Sequence, residues 1–187
     1  MALAAKQHVI NFHLMDAGDM NYEAWHGFGA LGTNAYSAVP QLADIYARNF
    51  SDMSRRCSAY SLGGMGPAAA AAVPVFLQVA ADTNAKTSPL EDREEAIGML
   101  GEIHSSPQIV VPVLTNLLAD STVCVDTVAA LGKFGPDAIS SLPLLNRLLN
   151  DPNKMVRLYA IEAIKRIAPA EAEHRQAELK STARPRL

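Results

Sequence analysis

Residues 55–74 read RRCSAYSLGGMGPAAAAAVP, and they combine a helical apolar pattern, a Gly-Pro turn and five alanines in one frame. The frame recurs around four prolines, which are separated by 34, 38 and 31 residues: Pro40, Pro74, Pro112 and Pro143. Twelve residues before each proline stands a large apolar residue that a glycine follows, in the pairs Phe28-Gly29, Leu62-Gly63, Leu100-Gly101 and Leu131-Gly132. A frame that returns at such intervals is typical of a stacked repeat architecture.

Each unit is predicted to contain two helices. In the first helix, apolar or small residues lie three and four positions before the large apolar residue and again three positions after it, which makes one stripe at helical spacing. The glycine that follows the large residue costs about 1 kcal/mol of helix propensity relative to alanine. Its return at one position predicts that two helix backbones approach closely there, where no side chain fits.

The second helix of each unit is predicted to begin near the turn marked by Gly66-Pro67 and by Gly135-Pro136. The alanine run at 68–72 then forms the first turns of such a helix, and its small side chains allow close packing. The later proline should bend this helix or mark where its regular part starts. Eight residues after the proline, three units carry an aspartate that should end the second helix and can cap the next one: Asp82, Asp120 and Asp151.

The frame in residues 55–74 resembles the HEAT repeat, and more narrowly the short bacterial HEAT-like form that is also seen in phycobilisome lyases. The segment DPNKMVR at 151–157 is similar to that family's helix opening. The resemblance covers roughly residues 21–169. It implies an all-α fold, namely a right-handed α-α superhelix (solenoid) of about four to five helical hairpins.

An arginine column belongs to the same resemblance. Arginine stands seven residues before the large apolar residue of the frame at Arg55 and Arg93, and at Arg157 before Ile164 of a fifth, partial copy, whereas Asn21 and Cys124 interrupt the column. In the family such an arginine commonly ties one repeat to its neighbour through an aspartate. The resemblance therefore implies polar links between repeats, but not a continuous ladder.

The predicted organisation has three parts. Residues 1–20 form an N-terminal capping helix, residues 21–169 form the repeat array, and residues 170–187 form a C-terminal helix and a frayed basic tail. The array divides into units whose last member is partial: 21–51, 52–82, 88–120, 121–151 and 152–169. Residues 83–89 are predicted to form the longest internal loop, which explains the 38-residue spacing.

The composition narrows the classes of function. A net charge of −3 opposes a nucleic-acid-binding protein, because such proteins usually carry a basic excess. No run approaches the roughly eighteen apolar residues of a membrane span, and polar residues interrupt the N-terminal segment where a secretory signal needs an apolar core. Cys57 and Cys124 are too few for a disulfide framework and are predicted to be small buried hydrophobes. We therefore expect a cytoplasmic protein whose partner is neither a nucleic acid nor a membrane; the oligomeric state stays open.

The search for chemistry predicts no catalytic, cofactor-binding or metal-binding group. His8 and His13 are five residues apart, so they do not share the helix face that paired metal ligands use. His104 stands where other units have a helix-ending glycine and is predicted to be a helix C-terminal residue. Trp25 lies in an apolar column and is predicted to be a core residue. The acidic cluster at 91–95 is predicted to face the positive end of a helix dipole.

These observations favour a non-enzymatic HEAT-repeat scaffold that binds another protein through a concave face lined by the second helices. The solvent-facing positions of that face should lie three and four residues after each proline. The predicted partner-binding residues are Asp44, Gln78, Thr115, Asn116, Asn146 and Arg147. Two alternatives rest on the fold resemblance alone: a bilin lyase or isomerase-type accessory protein, and a HEAT-like DNA-binding protein.

Overall fold

The computed structural model describes residues 25–28 and 30–170, and all the regular secondary structure in these ranges is helical. Within these ranges, eight α-helices with defined bounds follow one another: α1 (Val39–Arg48), α2 (Asp52–Gly64), α3 (Val73–Ala81), α4 (Leu90–Ile103), α5 (Pro107–Leu117), α6 (Cys124–Phe134), α7 (Leu142–Leu148) and α8 (Lys154–Ile167). Residues 25–28 and 30–31 are also helical. Three 3₁₀ segments lead directly into α1, α3 and α7: η1 (Gly32–Ala38), η2 (Gly66–Ala72) and η3 (Gly135–Ser141).

The helices form two layers that advance in chain order. The first helices of the units, α2, α4, α6 and α8, pack successively against one another. The second helices, η1–α1, η2–α3, α5 and η3–α7, do the same, and each also packs against the first helix that follows it. The buried side chains of both layers form one continuous apolar core. The predicted all-α stack of helical hairpins is therefore confirmed, whereas its right-handed sense remains a prediction.

The recurring glycines lie where neighbouring first helices approach most closely. A Cβ atom added to Gly132 would lie 3.1 Å from the Cα atom of Ala163 in α8, and one added to Gly101 would lie 3.2 Å from the Cα atom of Ala130 in α6. At Gly63 the neighbour is instead a side chain, the sulfur of Met99, at 2.6 Å. The predicted close approach of helix backbones is confirmed at Gly101 and Gly132, whereas at Gly63 the space is filled by a side chain of the neighbouring helix.

First helices other than α8 end close to a residue with a positive φ angle. Gly32, Gly66 and Gly135 have φ angles of 49°, 58° and 51°, which glycine adopts without a steric penalty. In the third unit the equivalent residue is His104, with φ 46°, and it is the C-cap of α4. The predicted role of His104 as a helix C-terminal residue is confirmed.

The alanine run departs from the prediction. Residues 66–72 form the 3₁₀ segment η2 rather than the first turns of an α-helix, and Ala69 has non-helical angles of φ −87° and ψ 17°. The α-helix begins only at Val73, next to Pro74. Ala69 and Ala72 are nevertheless fully buried, so the small side chains do serve close packing.

The four recurring prolines do not all play the same structural part. Pro40, Pro74 and Pro143 lie in the first turn of a second α-helix, where a missing N–H leaves no hydrogen bond unmade. In the third unit α5 already begins at Pro107, so Pro112 lies inside the helix. The proline therefore marks the start of the regular helix in three units of four.

The aspartates after the second helices stabilise the connecting loops instead of capping the next helix. Asp82 accepts hydrogen bonds from the hydroxyl groups of Thr87 and Ser88 at 2.6 and 3.1 Å, and so holds the predicted long loop together. The side chains that cap helices are Ser51 for α2 and Asn153 for α8. The predicted capping role of the aspartates is not what the structure shows.

Several predictions concern parts of the chain beyond the described ranges. The N-terminal capping helix at 1–20, with His8 and His13, lies outside them. So do Asn21, Gly29 and all but the first residue of the predicted C-terminal segment at 170–187. The unit boundaries within the array remain predictions.

Candidate partner-binding surface

The second helices present one column of exposed polar residues, four positions after each proline. We call these residues the second-helix column: Asp44, Gln78, Asn116 and Arg147. The residues one position earlier, including the predicted Thr115 and Asn146, are half-buried. Four of the six predicted site residues are thus exposed on successive second helices; that their face is concave remains a prediction.

Three of the predicted residues line one groove between the C-terminal ends of α5 and α7. The α5–α7 groove encloses about 570 Å³. The residues that line it are Thr115, Asn116, Leu118, Ala119, Leu144, Arg147, Leu148, Asn150, Asp151 and Pro152. α5 packs against the 3₁₀ segment η3, which leads into α7, and the groove lies beyond this contact, between α5 and α7 themselves.

The side chains at the groove differ in whether they already make hydrogen bonds or ion pairs within the protein. Thr115 donates a hydrogen bond to the Val111 carbonyl at 2.7 Å, within its own helix. Within the described ranges, the side chains of Asn116, Asn150 and Arg147 make no hydrogen bond or ion pair. These three groups remain available to a ligand.

The other predicted residues lie apart from the groove. Asp44 forms an ion pair with Arg48 one turn later in α1, at 2.9 Å. Gln78 is exposed on α3, and Asn146 is half-buried on α7 and engaged in an interaction of its own. The structure therefore brings together Thr115, Asn116 and Arg147, and does not bring the other three into the same groove.

The sequence did not point to the apolar wall of this groove. Leu144, which directly follows Pro143, forms part of this wall and is 36% exposed. The corresponding residues of the other units are Gln41, Val75 and Val113, so the position after the proline is apolar in three units of four. This apolar column is the sequence signal that could have indicated the wall.

On the first-helix side, the charged residues beside one shallow depression are already paired. Lys133 contacts Glu102 at 2.7 Å between α6 and α4, and Arg166 contacts Glu162 at 3.1 Å along α8. The shallow depression of about 480 Å³ beside them is lined by Glu102, Lys133, Arg166, His104 and three glycines, Gly101, Gly132 and Gly135. A charged ligand would have to displace internal partners there, which disfavours this side as a docking site.

One buried arginine links the second unit to the third, and another pairs with an aspartate within the third unit. Arg55 of α2 pairs with Asp92 and with Glu95, both in α4, and its guanidinium lies 5.1 Å from the ring centre of Tyr46. Burial raises the pKa of Glu95 above its ordinary value, and the nearby Arg55 opposes that shift. The acidic cluster at the start of α4 thus forms an inter-repeat link, which the prediction of a helix-dipole role did not include.

The second arginine contact is less buried than the first but is strongly hydrogen-bonded. Arg93 pairs with Asp120 at 2.8 Å and also donates to the Ala80 carbonyl at 3.2 Å. Hydrogen bonds from Thr122 and Arg93 lower the pKa of Asp120 to about 2. In the fourth unit, the position of the arginine column is taken by the buried Cys124, which carries no cation. The side chain of Arg157 donates instead to two backbone carbonyl groups. The arginine–carboxylate pairs of this column therefore end with Arg93.

Within the described ranges, the side chains that could bind a metal or act as a nucleophile do not form a cluster. No three side chains of the metal-binding types gather there. Cys57 is half-buried in α2 and Cys124 is buried in α6, and burial raises the pKa of both thiols. Trp25 is half-buried rather than a fully buried core residue, and its ring stacks on His26 and contacts Tyr60. None of the helices in these ranges is long and apolar enough to cross a bilayer.

The stack of helical hairpins places this chain among the helical-repeat proteins. Within it, residues 142–170, which contain α7 and α8, match the family model of the HEAT repeat. The whole described structure is consistent with HEAT-like repeats, and so the resemblance seen in the sequence is confirmed.

The likeness to solved structures extends over most of the chain. The crystal structure of an engineered protein from the Northeast Structural Genomics Consortium matches it with a TM-score of 0.53 and 18% sequence identity. The match covers 92% of this chain and 87% of that one. At this identity the likeness concerns the fold alone. No curated protein matches the chain.

Proposed function

We propose that this chain is a non-enzymatic scaffold that binds another protein through the second-helix column and the α5–α7 groove. The observation that carries the proposal is the contrast between the α5–α7 groove and the depression on the first-helix side. The charged side chains beside the first-helix depression are paired with each other, whereas Asn116, Asn150 and Arg147 at the groove have no partner within the described ranges.

The charge of the second-helix column supports a protein partner over a nucleic acid. The column holds one acid, one base and two amides, and the acid is paired with a neighbouring arginine. A nucleic-acid groove gains its affinity from many lysine and arginine contacts to phosphate. Mixed polar groups beside an apolar wall are instead the composition of a protein interface.

The proposal is tested by capturing partners from the native cell lysate with immobilised protein. In the test variant Asp44, Asn116 and Arg147 are changed to alanine. The matched control changes one acid, one base and one neutral polar residue elsewhere on the surface, namely Glu91, Lys165 and Ser121. We expect the test variant to lose partners that the control retains. Equal partner lists for both variants would refute the second-helix surface as the binding site.

A further inference from the structure

We propose that the α5–α7 groove selects an extended protein segment that carries an acidic side chain next to an aliphatic one. This inference rests on the proposed function and specifies the chemistry of the partner. It follows from the charges at the groove, from its amide groups and from its apolar wall.

The charges at the groove leave one cation without a counterion. Arg157, beside the groove, donates to the carbonyl groups of Asp151 and Pro152 at 2.7 and 2.9 Å. The carboxylate of Asp151 accepts a hydrogen bond from the Asn153 backbone N–H at 2.8 Å, so it is turned toward its own loop. The groove lining itself thus holds one guanidinium and one carboxylate, but Arg147 makes no ion pair with Asp151 or with any other residue of the described ranges.

Arg147 is suited to a carboxylate ligand. A guanidinium carries several N–H donors in a planar fork that matches the two oxygens of a carboxylate. It lies at the rim of a groove rather than on a flat surface, so a bound carboxylate would be partly shielded from water. Partial shielding strengthens a charge pair relative to one that is fully exposed.

The remaining lining fits a peptide backbone and an aliphatic side chain. The carboxamides of Asn116 and Asn150 each offer both donors and an acceptor, as an extended backbone requires. Leu144 and Leu148 supply the apolar wall, with Leu144 36% exposed. A volume of about 570 Å³ suits a short segment and not a broad protein face.

The test uses a phage library of random twelve-residue peptides, selected on the immobilised full chain. We expect the selected peptides to share Asp or Glu within two positions of Leu, Ile or Val. A fluorescein-labelled consensus peptide is then titrated by fluorescence anisotropy. The variant Arg147→Glu should weaken its binding at least about tenfold, since it replaces attraction by repulsion. Arg147→Lys should retain part of the affinity, because it keeps the charge and loses the planar fork.

The control is Glu91→Lys, a charge reversal at an exposed position of α4, outside both the second-helix column and the groove, which should change affinity by less than about twofold because a distant exposed charge is screened by salt. The inference is overturned if the selection yields no shared acidic residue, or if an acidic consensus binds Arg147→Glu as well as wild type. The selected peptides could also lack an acidic residue and yet fail to bind the variant in which Asp44, Asn116 and Arg147 are alanine. That result would overturn the inference and leave the proposed function standing. Peptides that bind that variant unchanged would count against both.

Discussion

Replacing Gly132 by alanine tests the close packing of the first helices. An added Cβ atom would lie 3.1 Å from the Cα atom and 3.2 Å from the Cβ atom of Ala163. The nearest neighbour is helix backbone, so it cannot rotate away as a flexible side chain would. Alanine also improves helix propensity by about 1 kcal/mol. Forcing an extra carbon into a packed contact costs about 1–3 kcal/mol.

The two effects oppose each other, so a matched control is needed to separate them. Gly98 lies in the interior of α4, and a Cβ atom added there meets nothing within 4 Å. Gly98→Ala should therefore stabilise the protein by about 1 kcal/mol through propensity alone. Gly132→Ala should range from no change to a loss of about 2 kcal/mol, which leaves a gap of about 1–3 kcal/mol between the two variants.

The assay is urea unfolding followed by circular dichroism at the helical band. With a slope of about 2 kcal/mol per molar urea, the gap corresponds to a difference of roughly 0.5–1.5 M between the two midpoints. Equal stabilisation by both substitutions would refute the reasoning, because it would mean that α6 and α8 have room for a side chain between them.

Three further predictions follow from buried contacts. Ala72→Leu should lower the free energy of unfolding in urea by about 1–3 kcal/mol, since Ala72 is fully buried. Ala71→Leu, at an exposed position, should change it by no more than about 0.5 kcal/mol. Similar losses for both variants would contradict the packing of η2. Arg55→Ala should cost about 3 kcal/mol at pH 7, because it removes the cation beside Asp92 and leaves Glu95 only the more distant Arg56. Burial already raises the pKa of both carboxyl groups, so the loss should shrink as the pH is lowered and they become protonated; a pH-independent loss would be evidence against the ion pairs. Asp120 should titrate near pH 2 by carboxyl NMR, so its share of the stability is present above about pH 4 and is lost as the pH falls toward 2. Thr122→Val should raise that midpoint, and an unchanged midpoint would exclude the hydroxyl hydrogen bond as its cause.

The features that the sequence predicted correctly are those set by spacing and steric size. A glycine that returns at one position of a helical pattern has few explanations other than close approach, and Gly101 and Gly132 bear this out. His104 shares its column with glycines, and the shared backbone requirement places it in the left-handed region. Both inferences depend on local geometry that repeats from unit to unit.

The features that the sequence missed depend on how the units pack against each other. The alanine run has high helix propensity, yet residues 66–72 form a 3₁₀ segment because the turn at Gly66 and the packing of two fully buried alanines fix its path. The α5–α7 groove arises where two second helices meet, and no single unit carries that information. The partnership of Arg55 with the acidic cluster of α4 likewise spans two repeats.

The most direct test of the proposed function is an NMR titration of the ¹⁵N-labelled chain with the selected acidic peptide or a captured partner. If the second-helix layer is the binding surface, the largest amide shift changes should fall on α5 and α7, around Asn116 and Arg147. The exposed faces of α4, α6 and α8 should change little. Shift changes concentrated on those first helices, with α5 and α7 unaffected, would contradict the account.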